Sequence, residues 1–190
     1  MKIGFIGGGN MGGAILAGYA SAGSDKASQI ALFDKSEEVC AKMQKRFPGL
    51  TLCSSGEELC SSSDVVILGV KPQVIEGVLS EIAGACSKDK LVISMAAGVD
   101  LEFLAEHLGA DIPIIRIMPN TPAKVGEAMI AVCRNKNVTD AMFEAAMEIF
   151  SAVGKAEEIE ENLMDCVIGV SGSSPAYTYM YIEALVQAAQ

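Results

Sequence analysis

Short apolar runs alternate with segments whose apolar positions recur every three or four residues, and this alternation repeats along most of the chain. Apolar runs of strand length stand just before Gly7 and at 29–33, 50–53, 65–70, 90–94, 112–118 and 127–134, with a further extended stretch at 154–160. Between them the spacing predicts helices over 10–22, 37–47, 57–60, 73–84, 101–108 and 139–151, the last capped by Thr139. Strands that alternate with helices pair in parallel through helical crossovers, so the expected class is α/β with a doubly wound sheet. The unbroken apolar run at 65–70 suits a central strand covered on both faces. From 162 the pattern changes. A helical segment at 163–168 is followed by Ser171-Gly172-Ser173-Ser174-Pro175, expected to break it, and then by a helix over 176–189. That helix carries Tyr177, Tyr179, Met180, Tyr181, Ile182, Leu185 and Val186 around most of its circumference, and a helix apolar all round is expected to be buried against a partner. It reaches Gln190 without a C-cap glycine or a closing basic turn, so a further helical part is expected.

Glycines at 7, 9 and 12 link the first apolar run to the first helix. In that context Gly7 permits a tight turn, Gly9 lets the backbone approach a pyrophosphate, and Gly12 allows the helix to pack closely on the sheet. The helix N-terminus adds unpaired N–H groups and partial positive charge for phosphate. Asp34 ends the second strand, 22 positions after Gly12, where an acidic side chain accepts from the adenosine ribose hydroxyls and favours NAD. Lys35 and Ser36 follow directly and suit a 2'-phosphate, so NAD and NADP both stay open; Ser36 also reads as an N-cap. Lys71-Pro72 closes the fourth strand on the edge where α/β sheets bind ligands, the small residues of Met95-Ala96-Ala97-Gly98 leave room for a flat ring, and Pro119-Asn120-Thr121-Pro122 forms a rigid loop able to aim polar side chains.

The net charge of -10 leaves no basic stripe for nucleic acid and directs attention to small-molecule partners. Mean hydropathy is +0.36, yet the apolar runs are far too short to span a bilayer. The first residues have no basic n-region, so a cytoplasmic chain is expected. Six cysteines without a CxxC pair fit buried free thiols rather than a zinc site, and no metal is expected. The single histidine, His107, is too little for a triad or a metal cluster and reads as a surface residue near a helix end. The acidic group Glu157, Glu158, Glu160 and Glu161 reads as a solvated boundary.

Taken together, FIGGGNMG at 5–12, DVVILGVKPQ at 64–73, SMAAG at 94–98, RIMPNTP at 116–122 and SGSSPAY at 171–177 resemble the pyrroline-5-carboxylate reductase family over essentially the whole chain. The resemblance implies a dinucleotide-binding Rossmann domain at 1–160 and, at 161–190, the start of an all-helical dimerisation domain that is truncated here. It implies reduction of 1-pyrroline-5-carboxylate to L-proline, the last step of proline biosynthesis, by hydride transfer from NADP or NAD in reduced form, in a homodimer or higher homo-oligomer built through the C-terminal helices. Carried onto matching positions, Gly7, Gly9, Asn10 and Met11 would hold the pyrophosphate, with Ile6 and Gly8 also at the cofactor, and Asp34, Lys35 and Ser36 would face the adenosine ribose. Ser55 would lie near the adenine. Val70, Lys71, Pro72, Ala96, Ala97 and Asn120 would line the nicotinamide and its ribose. No catalytic residue is assigned; Thr121 and Ser174 are candidate substrate contacts. At the end of the second strand the family often has Asn or Ser followed by Arg, serving NADP, so Asp34-Lys35 weakens that preference. The family's substrate-binding Ser-Pro-Gly-Gly-Thr segment would lie after residue 190, so this chain is expected to bind cofactor without turnover if the closing helices are missing. Two other readings stand beside this one: a related NAD(P)-dependent oxidoreductase, such as a 3-hydroxyacid dehydrogenase or a coenzyme F420-dependent NADP oxidoreductase, and a noncatalytic dinucleotide-binding or dimerisation module.

Overall fold

Successive strand residues point to opposite faces, so a strand that is apolar at every position needs cover on both sides. Val65–Leu68, all four residues buried, is such a strand in the computed structural model, which describes residues 1–190. The eight strands are β1 (Ile3–Ile6), β2 (Ile30–Phe33), β3 (Thr51–Leu52), β4 (Val65–Leu68), β5 (Leu91–Ser94), β6 (Ile114–Met118), β7 (Ala128–Arg134) and β8 (Gly154–Glu158). They form one sheet in the order β3-β2-β1-β4-β5-β6-β7-β8. The pairs from β3 to β6 are parallel, β7 runs antiparallel to β6, and β8 is parallel to β7. This is the Rossmann order with two added edge strands. The helices are α1 (Asn10–Ser21), α2 (Glu37–Arg46), α3 (Gly56–Ser62), α4 (Ile75–Ile82), α5 (Leu101–Leu108), α6 (Asp140–Ser151), α7 (Met164–Val167) and α8 (Ser174–Ala188).

The two-residue period sorts the strands' side chains into two cores. Ile3, Phe5, Val65, Ile67, Ile93 and Ile115 pack with Ile15, Leu16 and Tyr19 of α1 and Ile149 and Phe150 of α6. On the other face Ile6, Val66, Leu68, Val92 and Ile114 meet Leu59 of α3, Val78, Leu79 and Ile82 of α4, and Leu104 of α5. At about 1.5–3 kcal/mol for each large apolar side chain removed from water, these two layers dominate the stability of the sheet. Side-chain caps fix where several helices begin. Ser36 accepts from Val39 N, Ser55 from Glu58 N, Asp100 from Phe103 N and Thr139 from Met142 N, at 3.4, 3.0, 2.8 and 3.3 Å. Each such cap contributes about 1 kcal/mol.

Several elements differ from the sequence reading. The central strand ends at Leu68, because Gly69 already packs under the turn at Gly7. The helix expected over 73–84 is α4 flanked by 3-10 turns at Pro72–Val74 and Ala83–Ala85. The loop at 119–122 passes into a 3-10 helix, Thr121–Val125. The expected break at 171–175 is a π turn, Ile168–Gly172, leading into α8, whose Pro175 occupies the first helical turn, where a missing N–H costs nothing. His107 is half-buried, its ring centroid 4.2 Å from that of Phe103 and its Nδ1 2.9 Å from the Phe103 carbonyl oxygen. The cysteines are unpaired, but only Cys60 and Cys133 are buried, and Cys166 is exposed. Helix α8, expected to be buried, has no buried residue within this chain; Met180 is 68% and Tyr181 66% exposed. No helix is long and apolar enough to cross a membrane.

Candidate functional site

In a parallel sheet whose order reverses between β1 and β4, the chains leaving these two neighbours go to opposite faces and open a crevice at their carboxyl ends. Glycines make that crevice. Gly7 has φ +97°, a conformation that L side chains rarely adopt, and its N–H donates to the Phe33 carbonyl at 2.8 Å. A Cβ on Gly12 would overlap the Gly7 carbonyl oxygen, and one on Gly69 would sit 2.7 Å from that same oxygen and 3.0 Å from Gly12 Cα. The first turn of α1 is thus seated directly on the ends of β1 and β4. Gly9 is different. A Cβ there would meet nothing within 4 Å, so the space above it belongs to no protein atom. Gly9 also caps α1 without a side chain, and the first turn contains no acidic residue. The leading N–H groups of α1 therefore have neither an intrahelical acceptor nor a competing carboxylate, which is the arrangement an anion requires.

Beside this helix end lies a cavity of about 490 Å³. Ile6, Gly7, Gly9, Asn10 and Met11 form its glycine end, and Asp34 and Lys35 line it at the end of β2. Val70 and Lys71 line it after β4. The other residues expected at a site stand outside its lining. Gly8 donates its N–H to Asp34 Oδ2 at 2.8 Å. Ser36 donates its N–H to Asp34 Oδ1 at 2.9 Å while its hydroxyl caps α2. One carboxylate therefore holds the glycine turn and the entry to α2 together. Ser55 caps α3, Pro72 opens a 3-10 turn, Ala96 is buried in the core and Ala97 is exposed. Asn120 is buried, its Oδ1 accepting from Met129 N at 3.0 Å and its Nδ2 donating to the Ser171 carbonyl at 3.3 Å. It ties the carboxyl end of β6 to the segment entering α8. Thr121 is exposed at the start of its 3-10 turn, and Ser174 begins α8, its carbonyl accepting from Thr178 Oγ1 at 2.9 Å.

The cavity also contains Met95, which opens the stretch expected to leave room for a flat ring, and residues that the sequence did not single out: Phe33, Gly69, Val74, Val78 and Glu81. Gly69 carried a signal, being a glycine within an otherwise apolar strand run. Val74, Val78 and Glu81 share one face at helical spacing, but which face of α4 meets the crevice is set by packing.

A second polar cluster joins the sheet to the C-terminal helices. Arg116 on β6 is 4% exposed and pairs through NH1 with Glu161 at 3.0 Å; Asp165 is 3.9 Å from NH2, and Nε has no partner. Glu161 Oε1 also accepts from Leu101 N at 2.8 Å. Burial, together with the negative charge of Glu161, pushes the neighbouring Cys133 thiol up to about 11, so it stays neutral beside the arginine. Glu158 in turn pairs with Arg134 at 2.7 Å. The acidic group at 157–161 is therefore partly an ion-paired junction, which corrects its reading as a solvated boundary.

Two family models match the chain: "NADP oxidoreductase coenzyme F420-dependent" over residues 2–98 and "Pyrroline-5-carboxylate reductase dimerisation" over residues 161–190. The chain is 45% identical to pyrroline-5-carboxylate reductase of Escherichia coli (strain K12) over 188 residues, covering 99% of this chain and 70% of that protein. It is 40% identical to the protein of the same name from Methanosarcina acetivorans, covering 99% of this chain and 69% of that one. Among solved structures, Plasmodium falciparum pyrroline carboxylate reductase with NADP bound superposes with a TM-score of 0.89 at 35% identity, covering 100% of this chain and 69% of that one. The Coxiella burnetii pyrroline-5-carboxylate reductase gives 0.91 at 32%, covering 99% and 70%. Prephenate dehydrogenase from A. aeolicus, 17% identical over 98% of this chain and 70% of that one, shares the fold with a TM-score of 0.73.

Proposed function

The chain belongs to the pyrroline-5-carboxylate reductase family, and on that premise we propose that the cavity between β1 and β4 seats NAD(P)H for the reduction of 1-pyrroline-5-carboxylate to L-proline. The observation that carries this reading is the seat itself: Gly7, Gly12 and Gly69 press α1 onto the sheet, while the space over Gly9 and the leading N–H groups of α1 stay open to a pyrophosphate. When bound, a reduced nicotinamide would supply the hydride for the C=N carbon of the substrate.

The residues' task is to bind, orient and exclude water. The N–H groups of Asn10 and Met11 hold the pyrophosphate. Asp34 keeps lone pairs for the ribose hydroxyls beyond those given to Gly8 and Ser36, and Lys35 beside it offers a cation to a 2'-phosphate, so either dinucleotide fits. Val70, Lys71 and Met95 lead from the glycine end toward the carboxyl ends of β4 and β5, and the resemblance puts Pro72, Ala96 and Ala97 on the side a bound nicotinamide would occupy. Asn120, whose amide is committed on both sides, acts by holding the segment before α8 against that edge, bringing Thr121 and Ser174 to the substrate side. A protonated C=N is already electrophilic, so the lone half-buried His107 is not required.

Residues 1–160 act as the dinucleotide-binding domain and 161–190 as the beginning of the helical dimerisation domain. The exposed apolar face of α8 is covered by a second copy of the chain, giving a homodimer or a larger homo-oligomer. Six unpaired cysteines fit a reducing cytoplasm. The test is to add 1-pyrroline-5-carboxylate with NADH or NADPH and follow cofactor oxidation and L-proline together. One proline per cofactor oxidised supports the reading; cofactor binding with no proline formed would make the chain a dinucleotide-binding module.

A further inference from the structure

Glu81 is the cavity's second carboxylate, and no part of the reaction or the fingerprint uses it. It lies on α4, one turn beyond Val78, and Val78 together with Val74, which ends the 3-10 turn leading into α4, gives the cavity an apolar wall on the same side. Its Oε1 accepts the N–H of Gly56, the first residue of α3, at 2.7 Å. That bond fixes the carboxylate between two helices, while Oε2 accepts no hydrogen bond from the protein. The other cavity carboxylate, Asp34, is at the end of β2, where the adenosine ribose is read, and has both oxygens engaged with backbone N–H groups.

An apolar wall ending in a fixed acceptor suits a flat base with a hydrogen-bond donor on its edge. Resting on the cofactor placement above, we infer that Glu81 is the specificity residue for the base, accepting a hydrogen bond at Oε2 from the exocyclic amino group of adenine while Val74 and Val78 flank the ring. The chemistry discriminates. A hypoxanthine ring presents a carbonyl where adenine presents an amino group, setting an acceptor against a carboxylate. A hydrogen bond to a charged group, lost and replaced by an unfavourable contact, changes affinity by about tenfold or more.

The test is equilibrium titration, by cofactor fluorescence and calorimetry without substrate, of the full chain with NADH and with reduced nicotinamide hypoxanthine dinucleotide. The original protein is expected to prefer NADH by about tenfold or more. Glu81→Gln keeps an oxygen for Gly56 N and turns an amide N–H₂ toward the base, so it should reverse the preference in favour of hypoxanthine. Glu81→Ala should bring the ratio close to one. A role confined to holding Gly56 would weaken both ligands together without reversing their order. An unchanged ratio in both variants, or variants that stay folded by circular dichroism and bind neither ligand, would overturn the inference. Equal binding of both dinucleotides by the original protein would also overturn it while leaving the cofactor site in place; only failure to bind either would strike at that site.

Discussion

Strand β4 and helix α8 carry the same kind of sequence, apolar on every side, and end in opposite states: every residue of β4 is buried and none of α8 is. The strand lies between β1 and β5, with α1 and α6 over one face and α3, α4 and α5 over the other. Its cover comes from the same chain. Helix α8 follows the last strand and is left uncovered by residues 1–173, so its tyrosines, Met180 and Leu185 are exposed. An all-apolar segment says that burial is required; where the cover comes from depends on what else the chain folds around it.

Substitutions that act on one region and spare the other separate these two cases. The largest effect is expected from Ile67→Ala in β4, fully buried in the core, at about 2–5 kcal/mol of stability. Thermal unfolding should drop by about ten degrees, with 2–4 °C expected per kcal/mol in a chain of this size. Gly12→Val acts on the same region through the backbone: its side chain has no room above the Gly7 carbonyl, so α1 must lift, costing about 1–3 kcal/mol and removing dinucleotide binding as well. Calorimetry and cofactor titration on one sample would show both losses together.

The junction between the two regions comes next. Glu161→Ala leaves the Arg116 guanidinium buried without its main partner, and because Glu161 is itself one-third exposed the expected cost is about 2 kcal/mol, below the range for fully buried pairs. Limited proteolysis should then cut near 161–173 sooner than in the original protein. Resistance there would mean that the pair does not hold the junction. Within the cavity, Asp34→Asn removes the charge but keeps an acceptor for Gly8 N, so the ratio of kcat/KM for NADPH over NADH should rise about tenfold, or ~1.4 kcal/mol. Asparagine is the better probe here, since alanine would also release the glycine turn. An unmoved ratio would remove Asp34 from ribose recognition. The smallest change in the chain's own stability is expected from Leu185→Glu, below about 0.5 kcal/mol, because the side chain is more than half exposed. Sedimentation should nonetheless show the proposed homo-oligomer turning into monomer, the reverse of the pattern for Ile67→Ala.

How much of this was legible in the sequence differs between the same regions. The order of strands and helices followed from periodicity, because the alternation of two-residue and helical spacing is a local property and the sheet folds on local and neighbouring segments. The glycines at 7, 9 and 12 were readable for the same reason. Residues that take their meaning from distant partners were not. Gly69 matters through its approach to Gly7 and Gly12, Glu81 through Gly56, and Glu161 through Arg116. Ser55, placed near the adenine by resemblance, is engaged in capping α3, whereas the cap that Ser36 makes on α2 was itself readable in the sequence. Pro175 misled because a proline that ends one helix pattern is equally suited to the first turn of the next.

Gly9 gives the most direct test of the cofactor seat. Its backbone is extended, at φ -66° and ψ -156°, and a Cβ there touches nothing in the protein, so Gly9→Val should cost no more than about 1 kcal/mol, the loss of a favourable N-cap residue, and leave sedimentation unchanged. The added side chain would occupy the space over the α1 N-terminus that the pyrophosphate needs. Titration of this variant with NADPH is expected to show affinity reduced by about a hundredfold or more, on the order of 3 kcal/mol. A folded Gly9→Val protein that binds NADPH as tightly as the original would place the cofactor somewhere other than the crevice between β1 and β4.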